Sequence, residues 1–61
     1  MFKELTGPDG ATVAVNPLHV MRISTYHLGK AYPKHTKLDF TNGGYQIVVE
    51  DYDYVVDLLT I

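Results

Sequence analysis

The feature that most constrains this chain is Asn42-Gly43, followed by Gly44 and set between two segments of alternating polarity. Glycine enters positive φ without steric cost and an asparagine side chain bonds its own backbone, so this pair reverses an antiparallel strand. Upstream, residues 35–41 read as a strand, with Leu38 and Phe40 on one face and Lys37 and Asp39 on the other. Downstream, residues 45–50 carry the β-branched run Ile47-Val48-Val49 and read as the return strand.

A second hairpin precedes it. Residues 1–6 form a strand with Phe2 and Leu5 as its apolar residues, Gly7-Pro8-Asp9-Gly10 forms a turn, and residues 11–16 return with Val13 and Val15 on one face. Asn16-Pro17 breaks that strand, because proline lacks a donor and holds its predecessor away from helical angles. Residues 18–26 resume in extended form. His19, Met21 and Ile23 share one face, and Leu18, Val20, Arg22 and Ser24 the other. Both faces are partly apolar, which predicts a strand buried on both sides. A helical turn over 18–21 is the competing reading, and residues 27–34 read as a loop.

From Asp51 the period changes. Asp51 is a suitable N-cap, Asp53 sits in the first turn, and Tyr52, Val55, Val56 and Leu59 fit one helical stripe with Leu58 beside it. The prediction is a single α+β domain over 1–61: a small antiparallel sheet of four to five strands with one C-terminal amphipathic helix.

Sixty-one residues without a cysteine leave no disulfide framework, Cys-based zinc site or thiol chemistry. So short a chain buries little apolar surface, which points to a homo-oligomer. No apolar run approaches the ~18–20 residues that span a bilayer. The opening Met1-Phe2-Lys3-Glu4 does not resemble a signal peptide, so a cytoplasmic protein is expected.

Charge is segregated within a net charge of −2. Arg22, Lys30, Lys34 and Lys37 lie in a stretch free of acids, whereas Asp39, Glu50, Asp51, Asp53 and Asp57 follow with no base among them. Either a basic loop meets an anion and an acidic helix meets a basic partner, or the two ends complement each other within or between subunits. The stretch 26–37 interleaves Tyr26, His27, Lys30, Tyr32, Lys34, His35 and Lys37, joining cations for phosphates with flat rings for bases. His19, His27 and His35 fall eight residues apart, a spacing that makes no helical metal pair, and His19 reads as a hydrogen-bonded packing residue. Neither a nucleophile motif nor a phosphate cradle is present, and no enzyme activity or cofactor is expected. Five tyrosines in so small a chain either serve an interface or cap the rim of the small core, with Tyr52 and Tyr54 flanking Asp53 at the helix start.

The order of signals is Leu5-Thr6, Asp9-Gly10, Val13-Ala14-Val15-Asn16-Pro17, Val20 and Ile23, then Thr36-Lys37-Leu38-Asp39-Phe40-Thr41-Asn42-Gly43, Val48-Val49-Glu50, and a helix with Val55, Val56 and Leu58-Leu59. In this order, over roughly residues 5–59, the chain resembles the small flagellar and swarming-motility protein family (FlbD/SwrD-like). The stretch 24–35 departs from that pattern, being longer and more basic. The resemblance implies a non-enzymatic helper that acts through protein contacts without a cofactor, and it supplies no catalytic residues. Asn16, Pro17, Asn42 and Gly43 match its pattern as turn residues.

The expected function is that of a self-associating accessory protein that binds another protein, with Tyr26, Lys30, Tyr32, Lys34, Lys37, Tyr52 and Tyr54 as its interaction surface. The alternatives are a small nucleic-acid or nucleotide binder using the basic aromatic loop 26–37, or a phage-type inhibitor of a host protein with the acidic helix as bait.

Overall fold

The structure, a computed structural model, describes residues 1–27 and 34–60. It is α+β, as the sequence predicts: five strands in two antiparallel sheets and one C-terminal helix. Strands β1 (Lys3–Thr6) and β2 (Thr12–Val15) pair as a hairpin. A 3-10 turn over Pro17–His19 leads into β3 (Val20–His27), which pairs with β4 (Lys34–Phe40), which pairs with β5 (Tyr45–Val48). Helix α1 runs over Tyr52–Leu59.

The two hairpin turns share one construction. In the second, Phe40 N–H donates to Gly44 O at 2.9 Å, Gly43 N–H to Phe40 O at 3.1 Å, and Gly44 N–H to Asn42 Oδ1 at 2.8 Å. In the first, Gly7 N–H donates to Ala11 O at 2.8 Å, Gly10 N–H to Gly7 O at 3.0 Å, and Ala11 N–H to Asp9 Oδ1 at 3.0 Å. Each is a three-residue loop whose last residue is a glycine at positive φ, 88° at Gly10 and 91° at Gly43. The preceding Asp or Asn bonds the next free amide but does not itself enter positive φ.

Asn16-Pro17 does end β2, and the competing helical reading for 18–21 is partly realised one residue earlier. Asn16 Oδ1 accepts from Leu18 N–H at 3.1 Å, and His19 N–H closes on Asn16 O at 3.0 Å. His19 is exposed rather than packed, and its carbonyl accepts from Thr41 N–H at 2.9 Å.

The reading of β3 as buried on both sides is corrected. Leu18 is 84% and Met21 68% exposed, and His19 and Arg22 are exposed too. The cause is a register shift: Val20 pairs with Phe40 and Arg22 with Asp39, so Met21 is one residue in excess. A β-bulge of this kind inverts the alternation, which is why Val20 and Ile23, three residues apart, both pack against the core. The predicted loop 27–34 is also shorter than expected, since His27 and Lys34 pair as strand residues and only its interior lies outside the described residues. Phe2, predicted in β1, precedes it and is 66% exposed.

Leu5, Val15, Leu38, Val48 and Val55 form the buried core, one from each of four strands plus one from the helix. Val13, Val20, Ile23, Phe40, Leu58 and Leu59 close around it. The helix turns Val55, Leu58 and Leu59 inward, while Tyr52, predicted on that stripe, is 40% exposed. Asp51 occupies the N-cap position with extended backbone angles, but its side chain makes no cap hydrogen bond.

Two residues join the sheets. Val49 N–H donates to Thr6 O at 2.9 Å, and Glu50 Oε1 accepts from Thr6 N–H at 2.9 Å. Thr36, fully buried, donates its hydroxyl to Glu50 O at 2.7 Å.

Two expectations follow. Gly43→Ala has no atom within 4 Å of the new Cβ, so its cost is conformational, about 1–2 kcal/mol by chemical denaturation. Thr36→Val, which leaves the Glu50 carbonyl without its buried donor, costs about 1–3 kcal/mol, whereas Asp51→Ala costs well under the ~1 kcal/mol of a bonded cap.

Candidate functional site

The predicted interaction residues divide among separate surfaces. Antiparallel partners lie on the same face of a sheet, and alternate residues on opposite faces. Thr36 and Leu38, both fully buried, mark the core face of β4, with Thr25 and Ile23 opposite them on β3. Lys37 and Asp39 therefore belong to the outer face, opposite Ser24 and Arg22, and Tyr26 joins them opposite His35.

On that outer face Lys37 is already engaged. Its Nζ lies 3.6 Å from Asp39 Oδ1 and 4.8 Å from the centre of the Tyr45 ring. Tyr45 stands opposite Asp39 on β5 and is 64% exposed. Asp39 thus places a carboxylate beside Lys37 and opposite both Arg22 and Tyr45, where a phosphate would have to come.

Lys34 lies elsewhere. With Thr25, His35, Asp51, Tyr52 and Asp53 it lines a cleft of about 320 Å³ between the β3–β4 ends and the helix start. This is a mixed-charge surface, two acids against one lysine, unlike the basic loop that the sequence suggests. Lys37–Asp39 is the one ion pair of a lysine or arginine among the described residues, and it does not involve the helix acids Asp51, Asp53 and Asp57. Tyr54, 53% exposed, sits on the side of the helix away from Tyr52 and Val56, while Lys30 and Tyr32 lie outside the described residues.

Tyr52 is the residue the geometry promotes. It borders the mixed cleft and also a groove of about 290 Å³ formed with Val20, Met21, Arg22, Ile23 and Val56. The sheet contributes to that groove from β3 alone, so it opens along the outer side of β3, an edge strand in the order β3-β4-β5. The bulge turns Met21 out on its rim. Sequence reasoning missed Val20, Met21, Ile23 and Val56 as a surface. Met21 beside Arg22 in a strand of otherwise polar outward residues was the available signal. A third cleft, about 330 Å³, is lined by Met1, Lys3, Asn16, Pro17 and Leu18, with Met1 92% exposed.

No helix among the described residues is long and apolar enough to cross a membrane. Comparison with known proteins finds no matching family model, curated protein or solved structure.

Proposed function

We propose that this chain is a non-enzymatic accessory protein of the cytoplasm that acts by docking on another polypeptide. One observation carries the reading: a groove in which Val20, Met21, Ile23 and Val56 meet Arg22 and Tyr52 runs beside an edge of β3 that pairs with no other strand among the described residues. Such a site suits an extended segment, whose backbone bonds the strand edge while a side chain enters the groove. The resemblance to small flagellar and swarming-motility proteins supports the same kind of activity, a helper working through protein contacts, here in a motility-like role.

The nucleic-acid alternative is the weaker reading on physical grounds. Of its cations, Lys34 and Lys37 lie on opposite faces of β4, and Lys37 is held by Asp39 and Tyr45. Binding to single strands requires a continuous cationic track with accessible rings.

Two measurements test the proposal. A photo-crosslinking side chain in place of Met21 is expected to join a polypeptide, with the adduct lost on Val56→Glu and not formed from position 54. A labelled single-stranded oligonucleotide is expected to show no change in anisotropy at low salt, with Lys30, Lys34 and Lys37 intact or all replaced by Glu. Oligonucleotide binding abolished by that triple replacement, with the fold intact, would overturn the proposal.

A further inference from the structure

Among the described residues β3 is the longest strand, eight residues, and one edge of it over residues 21–27 pairs with no other strand. Among the described residues, no backbone hydrogen bond reaches residues 21–27 from outside the β3–β4 ladder. Monomeric proteins blunt such an edge with lysines, proline, inward charges or brevity. Beyond the bulge at Met21, the run Arg22-Ile23-Ser24-Thr25-Tyr26-His27 has one charge, at its start, and no proline or glycine. Ile23, Thr25 and Tyr26 are strong strand formers.

We infer that the occupant of this edge is a second copy of the chain, paired β3 to β3 in antiparallel fashion about a two-fold axis at Ser24. The inference rests on the protein-docking reading above and names its partner. A two-fold axis relating antiparallel strands stands perpendicular to the sheet, so some residue must face its own copy, and Ser24 lies in the middle of the regular segment. Its small hydroxyl can donate to and accept from its twin.

The neighbouring pairs are then compatible in sequence. Ile23 faces Thr25 of the other copy on the helix side, a β-branched pair. Arg22 faces Tyr26 of the other copy on the outer side, a cation beside a ring. This match occurs twice by symmetry. The two Arg22 residues stand four residues apart along the seam, roughly 13 Å, so like charges do not meet. Parallel pairing in register would instead align them.

Continuity with the groove supports the same occupant. The wall formed by Val20, Met21 and Ile23 belongs to β3 itself, so a second sheet laid along the edge covers that wall and the exposed Met21 together. The two helices then lie on one side of a six-stranded sheet, one on each side of the seam. This assembly extends a core of five buried apolar residues among the described ones, which is thin for a chain without disulfides.

Sedimentation equilibrium of the full chain tests the inference. The expected mass is twice 6.9 kDa at tens of micromolar, with those alternate amides of 22–27 that point away from β4 protected from hydrogen exchange in proportion to the dimer fraction. Ser24→Glu is the decisive variant. Within one chain the new carboxylate stands opposite Lys37, which it suits, while in the dimer two carboxylates meet at the axis. The expected result is dimerisation weakened about tenfold or more at low salt and partly restored at 1 M NaCl. Arg22→Ala, at an exposed position, should weaken dimerisation severalfold without disturbing the fold and covers the case in which Ser24→Glu fails to fold.

A wild-type chain that remains monomeric at 100 μM, or a dimer indifferent to both replacements, overturns the inference. A monomer that still crosslinks to polypeptide through Met21 and ignores oligonucleotides overturns it while leaving the docking function standing. Oligonucleotide binding would instead remove the docking reading itself.

Discussion

Three hydrogen bonds around Val49 and Glu50 hold the rest of the molecule in place. Thr6 exchanges backbone and side-chain bonds with this dipeptide, and Thr36 anchors the Glu50 carbonyl from the middle of the other sheet. Without them the β1–β2 hairpin and the three-stranded sheet would be two small units, neither able to bury an apolar face alone. The dipeptide also stands where the chain leaves β5 and enters α1, so the same bonds set where the helix begins. Val55 then reaches the core formed by Leu5, Val15, Leu38 and Val48. A glutamate at position 50 serves as a sheet-to-sheet clasp, a role distinct from the helix-start acid that its neighbours Asp51 and Asp53 suggest.

The bulge at Met21 is the second determinant. One extra residue shifts Val20 onto the core face together with Ile23 and leaves Met21 in solvent. The groove against Tyr52 and Val56 exists because of that shift. An unbroken β3 would have paired Met21 with β4 and placed Val20 and Ile23 on opposite faces. Bulges recur next to functional surfaces because they re-aim side chains without altering the sheet's order.

Charge segregation along the chain does not become a simple bipolar surface. The two lysines of β4 that read as neighbours in a basic loop belong to opposite faces, Lys37 beside Tyr45 and Lys34 beside Asp51 and Asp53. None of the helix acids pairs with a lysine or arginine among the described residues. What links the two sides is Tyr52, common to the mixed cleft and the groove beside β3. Tyrosine fits that position because its ring can cover apolar side chains while its hydroxyl stays in contact with water.

Elements whose physics is local are legible in the order of residues alone. Pro8-Asp9-Gly10 and Thr41-Asn42-Gly43 specify their turns because the Asx side chain and the glycine act within three residues of each other, and the same holds for the Asn16-Pro17 break. Alternation placed Val13, Val15, Leu38 and Phe40 correctly, and the predicted helix stripe of Tyr52, Val55, Val56 and Leu59, with Leu58 beside it, holds for Val55, Leu58 and Leu59 but not for the exposed Tyr52. Tertiary structure alone decided the rest. The excess residue at Met21 is defined only against Phe40 and Asp39, and the role of Glu50 only against Thr6, 44 residues away. The partition of Tyr26, Lys34, Lys37, Tyr52 and Tyr54 among surfaces likewise depends on which strand lies beside which. Sequence spacing carries the period of an element, whereas register and sheet packing arise from the pairing of residues that the chain brings together only on folding.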